Sequence, residues 1–159
     1  MIPALTNPIQ TSQHAPSSKW DLRFLDMATL VASWSRDPST QVGAVAVRDK
    51  RILATGYNGL PAGVEDTPER LKNRDTKLLL TSHAETNLLT YAARDGVSLR
   101  GATVYVTLWP CSHCAGQLIN AGVVRVVIPA QVVPERWAAS FSMARQMFLE
   151  AGVVLVEVG

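Results

Sequence analysis

Cysteine is scarce: the 159-residue chain holds two, Cys111 and Cys114. Two cysteines spaced CxxC make no disulfide framework. The spacing belongs to metal binding or redox chemistry in a reducing compartment. An excess of charge of one sign is missing too. Fifteen Lys and Arg against thirteen Asp and Glu leave +2, too weak a field to argue for long nucleic acid as a partner. No apolar run approaches the roughly 18 residues of a spanning helix. Met1 to Ser18 carries no Lys or Arg and no continuous apolar run. Neither a membrane partner nor a secretory leader is therefore expected, and the cytoplasm is the expected compartment (the host cytoplasm for a viral protein). Ten glycines, nine prolines and 18% charged residues exclude collagenous, disordered and coiled-coil chains. The length suits one domain, and such a chain buries about 70% of its unfolded surface without staples.

Residues 1–18 hold Pro3, Pro8 and Pro16 among Thr, Ser, Asn and Gln and read as an irregular tail. One domain is expected over 19–159. Ser17 or Ser18 can cap a helix running to about Ser35, with Trp20, Phe24, Met27, Ala28, Val31 and Trp34 at helical spacing. Asp37-Pro38 ends it. Val42–Val47 and Ile52–Tyr57 form an antiparallel hairpin across a short polar turn. Gly63–Thr81 is a long connection with one helical turn around Pro68–Asn73. Helices are expected over 83–95, 110–121 and 134–151, and strands over 102–107, 123–128 and 153–158. Helical crossovers make the last three strands parallel. The expected fold class is α/β: a mixed five-stranded sheet with helices on both faces.

The chemistry concentrates in His83-Ala84-Glu85 and, 24 residues later, Pro110-Cys111-Ser112-His113-Cys114. Alone, HxE recurs by chance, and PCxxC serves redox pairs and half-sites of structural zinc. Together they resemble the signature of zinc deaminases. The physics agrees. Zinc takes thiolate and imidazole at tetrahedral geometry, and three protein ligands leave one position open, as a catalytic site requires. Water held there has its pKa lowered to about 7. His83, Cys111 and Cys114 all fall at predicted helix N-termini, whose positive ends favour anions. Glu85 is then the proton carrier. Residues two apart on a helix diverge, so His83 must lie at or before the cap for both to face one ion. A closed structural site needs a fourth ligand. His113 lies on another helical face, and His14 in the tail.

Further stretches resemble deoxycytidylate (dCMP) deaminases: Ser35-Arg36-Asp37-Pro38-Ser39-Thr40-Gln41-Val42-Gly43-Ala44, Gly56-Tyr57-Asn58-Gly59-Leu60-Pro61, His83-Ala84-Glu85-Thr86-Asn87 and Leu108-Trp109-Pro110-Cys111 with Gln117–Gly122. The likeness runs from about Trp20 to the C-terminus. It implies a three-layer α/β/α sandwich of the cytidine-deaminase type. It also implies hydrolysis of dCMP to dUMP and ammonia, feeding thymidylate synthesis, with one catalytic Zn2+ per chain. Asn58 would bond the nucleotide, and Ser35, Arg36, Asp37 and Thr40 would line a substrate loop. Arg36 is a cation suited to a monophosphate or a solvated charge after a helix. Arg74 and Lys77 are further phosphate candidates. Trp109 either packs on the base or caps the core. The resemblance also implies a homo-oligomer, hexamer favoured, activated by dCTP and inhibited by dTTP. Gly56, Tyr57, Asn58 and Gly59 would then serve the effector, with Mg2+ accompanying that nucleotide. No second zinc is expected, since both cysteines serve the catalytic motif. Rival functions are a zinc deaminase of a 5-substituted dCMP, a free nucleoside or base, or a tRNA base; a non-catalytic zinc protein, indifferent to Glu85; and a CxxC redox protein, indifferent to His83.

Overall fold

The computed structural model describes residues 18–159; the tail read over 1–18 lies outside the described residues except for Ser18. Ser18 opens α1 (Lys19–Ala32) with a reciprocal cap. Its hydroxyl accepts the Asp21 N–H at 3.2 Å, and the Asp21 carboxylate accepts the Ser18 N–H at 2.9 Å. Two orphan donors of the helix start are thereby satisfied. The helix stops three residues short of the expected Ser35. Its last bonds tighten to i→i+3, with Ser33 N–H on Leu30 and Trp34 N–H on Val31. Trp34 leaves the helix and meets Tyr57 edge-on at 6.1 Å.

β1 (Gly43–Arg48) and β2 (Arg51–Tyr57) form the expected hairpin. Asp49 and Lys50 at its tip both adopt positive φ, 52° and 60°, as a two-residue turn matched to strand twist demands. β1 also pairs antiparallel with β3 (Thr103–Val106). β3, β4 (Arg125–Pro129) and β5 (Val154–Val158) are parallel. The sheet order is β2-β1-β3-β4-β5. Three helices link the strands after the hairpin: α4 (Ala84–Arg94) precedes β3, α5 (Ser112–Asn120) joins β3 to β4, and α6 (Glu135–Glu150) joins β4 to β5. The connection before α4 is more ordered than expected. It holds α2 (Pro68–Lys72) and also α3 (Arg74–Leu80), capped by the Asn73 side chain on the Thr76 N–H. Among the described residues no helix is long and apolar enough to cross a membrane.

Alternation along the strands divides the core. Ala44, Ala46, Val104, Val106, Val126 and Ile128 face α4, α5 and α6 through Leu88, Leu118, Phe141 and Phe148. Val45, Val47, Tyr105 and Val127 face α1 through Phe24, Leu25, Ala28 and Val31. The layers are thus α/β/α, with three helices on one side and α1 on the other. Gly43 lets α1 approach: a Cβ there would overlap the Ala28 carbonyl and the Ala32 backbone. On the long α6 stripe, Phe141, Ala144 and Phe148 are buried while Trp137 stays partly exposed.

One polar cluster ties α1 to the sheet. Asp21, with a side chain 2% exposed, accepts two bonds from Arg125 at 2.7 and 2.9 Å and one from the Tyr105 hydroxyl at 2.9 Å. Burial pushes its carboxyl up. The bonds from Arg125, the Ser18 N–H and Tyr105 outweigh that and hold it well below the usual range. The same burial, with Asp21 as acceptor, pushes the Tyr105 phenol up to about 12. A carboxyl depressed in the folded state stabilises fully above its unfolded value of about 3.9 and loses that contribution as pH falls below it. Asp21→Asn should therefore cost about 3 kcal/mol at pH 7. In urea titrations the gap to the parent should narrow as pH drops below about 4. A gap constant from pH 7 to pH 3 would contradict this.

Candidate active site

Two helix starts meet beside the C-terminal end of β3. His83 is the N-cap of α4, with φ −68° and ψ 157°. This extended backbone resolves the geometric difficulty of the HxE pair. His83 lies before the first helical turn, so it need not diverge from Glu85, the second helical residue. Cys111 is the N-cap of α5, with φ −70° and ψ 165°, and its sulfur accepts the Cys114 N–H at 3.4 Å. The helices thus place donor atoms at positions that commonly hold Ser, Thr, Asp or Asn.

The three donor atoms lie within 4.8 Å of one another. His83 Nδ1 is 3.6 Å from Cys111 Sγ and 3.4 Å from Cys114 Sγ. Tetrahedral zinc, with Zn–S about 2.3 Å and Zn–N about 2.0–2.1 Å, requires N···S edges of about 3.5–3.6 Å. The donor set fits zinc in both chemistry and spacing. Burial grades across it: Cys114 is buried, Cys111 half-buried and His83 exposed, so one side opens to solvent.

Glu85 is 4% exposed. Burial pushes its carboxyl up to about 7, against the pull of its own backbone N–H and of His83. The Cys114 thiol and N–H and the His83 ring stabilise a Cys111 thiolate, whereas Cys111 and burial push Cys114 up. Bonding to Cys111 in turn raises His83. A cation would relieve this competition.

The substrate-loop residues form a separate assembly. Asn58 is buried, with Oδ1 accepting Val42 N–H at 2.8 Å and Nδ2 donating to Thr40 O at 2.8 Å. Ser35 donates to Asn58 O at 2.7 Å. Asp37 accepts the N–H groups of Ser39 and Thr40 and pairs with Lys77. Arg36 is exposed and pairs with Asp66 at 2.8 Å. A cavity of about 110 Å³ opens beside this loop, lined by Trp34, Arg36, Tyr57, Gly59 and Asp66 among others, and by none of the metal-site residues. Arg74 is exposed at the start of α3. Trp109 lies in the core, 7% exposed and stacked on Phe141 at 6.2 Å. Gly56 lies where a Cβ would overlap the Ala84 carbonyl and the Leu88 backbone.

The contacts of Thr86 and Ser140 were not legible in the sequence. Thr86 donates to Gln117 at 2.9 Å and lies 4.0 Å from Cys114 Sγ. Ser140 on α6 accepts the Ser112 N–H at 3.0 Å, beside the Cys111 cap. His113 is exposed and lies 3.3 Å from the Gln117 amide. Since α4 rests on Gly56, Gly56→Ala should displace the start of that helix and cost about 2 kcal/mol. The check is a lowered melting temperature together with faster zinc loss to a chelator; unchanged values would contradict the close approach.

Comparison with known proteins agrees with this geometry. Residues 18–130 match the family described as the cytidine and deoxycytidylate deaminase zinc-binding region. An uncharacterized deaminase in the luxG 3′ region of Aliivibrio fischeri is 44% identical over 138 residues, covering 86% of this chain and 91% of that protein. The deoxycytidylate deaminase of Mycobacterium phage D29 is 39% identical, covering 70% of this chain and 95% of the relative. The crystal structure of dCMP deaminase from cyanophage S-TIM5, in complex with dCMP and dUMP, superposes with a TM-score of 0.72. It is 25% identical and covers 89% of this chain and 98% of that one. With its sheet order and its His/Cys/Cys group set on two helix starts, the chain belongs to the cytidine and deoxycytidylate deaminase zinc-binding family.

Proposed function

We propose that this protein hydrolyses dCMP to dUMP and ammonia, supplying dUMP for thymidylate synthesis. The observation that carries the reading is the set of N···S edges at 3.4 and 3.6 Å beside a buried Glu85. The relatives named for dCMP support the substrate. His83, Cys111 and Cys114 would hold zinc, which when bound activates water for attack. Glu85 takes the proton of the attacking water. It delivers that proton to the ring nitrogen beside the amino-bearing carbon, then takes the remaining proton of the added hydroxyl and passes it to the amino nitrogen as the C–N bond breaks and ammonia leaves. Its buried site keeps bulk water from competing for the proton.

Arg36, Asn58 and the Ser35–Thr40 loop belong to the nucleotide end in this reading. Gly56–Gly59 would contribute to a site for a dCTP or dTTP effector. Mg2+ would enter only with an effector's phosphates. The assembly is a homo-oligomer, hexamer favoured, in the cytoplasm.

Glu85→Gln should retain zinc and lose turnover by about 10²–10⁴-fold. Zinc content and ammonia release, measured on one preparation, decide it; full turnover by a zinc-loaded Glu85→Gln would sink the mechanism. Zinc-loaded parent protein should prefer dCMP over deoxycytidine. Equal rates on the two would remove the phosphate reading and leave the zinc chemistry standing.

A further inference from the structure

Lys77 is the cation of this region that burial singles out. Its side chain is 10% exposed and that of Asp37 is 9% exposed, with Nζ 3.0 Å from Asp37 Oδ1 and 3.3 Å from Ser39 Oγ. The same Oδ1 accepts Ser39 N–H at 2.8 Å and Thr40 N–H at 3.1 Å. Burial alone would push this carboxyl up; the Ser39 N–H, Lys77 and the Thr40 N–H reverse that and hold it below the ordinary range. The ammonium therefore sits inside a closed set of loop contacts.

Two routes lead from this pair to the metal group. The first runs along α3. Thr81 N–H bonds to Lys77 O at 2.9 Å, and Ser82 and His83 follow directly. The second runs through the loop. Thr40 O receives Asn58 Nδ2, and Asn58 adjoins Gly59. Gly59 and Ser82 exchange backbone bonds at 3.1 and 2.9 Å in an isolated bridge. Both routes converge on Ser82, the residue before His83.

We infer that Lys77 is a positioning residue which, by closing the buried pair with Asp37, holds both the Ser35–Thr40 loop and the strand-like approach to His83 in register, and is not a ligand of the substrate phosphate. The inference rests on the proposed dCMP chemistry for its kinetic readout, but not for its structural one. A phosphate ligand acts only on phosphorylated substrate. A latch acts on every substrate and on the metal.

The test is a double-mutant cycle of Lys77→Met and Asp37→Asn. Each single variant should lower kcat/KM about tenfold or more on dCMP, and should lower it on deoxycytidine as well. Each should also speed zinc loss to a chelator. The double variant should be no worse than either single one, and Lys77→Arg should recover part of the loss. Two results overturn the inference: a loss confined to dCMP with zinc retention unchanged, or full additivity of the two singles. If the parent turns over neither substrate, the functional reading fails, and the zinc-loss cycle still decides the latch. If Lys77→Met does not fold, Asp37→Asn alone must show the loss on both substrates and the faster zinc release.

Discussion

Two helix N-termini, capped by a histidine and a cysteine, are the constraint around which the site is arranged. Serine or aspartate at such positions stabilises a helix by about 1 kcal/mol relative to alanine. His83 makes no side-chain cap bond, and Cys111 offers only a long contact from sulfur to the Cys114 N–H. Local helix stability is lower in exchange for placement. Extended backbone at each cap sets His83 and Cys111 before the first helical turn, and the helix then carries Glu85 or Cys114 beside them. The positive ends of both helices point at one small volume and favour anions there; at Glu85 burial outweighs that pull.

The rest of the fold holds those two starts together. β1 lies between β2 and β3, so the strand that ends at Tyr57 and the strand that precedes Pro110 belong to one rigid unit. Gly56 lets α4 rest directly on β2. Ser140 on α6 accepts the first helical N–H of α5. On the opposite face, Asp21 joins the start of α1 to Tyr105 and Arg125 on the two central parallel strands. The buried charge on that side does no chemistry in this account; it fixes α1 against the sheet.

Much of this was legible in the sequence because the signals were local. The hairpin, the parallel strands and the helices α4 to α6 follow from periodicity and turn residues. The position of His83 followed from a geometric argument about residues two apart, and the backbone angles agree with it. What escaped notice lacked a local signal. α3 presents Leu78 and Leu79 to solvent, so its apolar pattern does not mark a buried face; the Asn73 cap and Asp75 in the first turn were the available clues. The Asp21–Arg125 pair spans 104 positions, and the Asp37–Lys77 pair spans 40. No spacing rule relates such residues. Trp109 had two readings from sequence, and its stacking on Phe141 places it in the core.

The central claim is that His83, Cys111 and Cys114 form one open zinc site. X-ray absorption at the zinc edge, on protein purified without added metal, tests it most directly. The account predicts one zinc per chain, two sulfur neighbours at about 2.3 Å and lighter N/O neighbours at about 2.0–2.1 Å. Absence of zinc, or a shell of four sulfurs drawn from two chains, would contradict it.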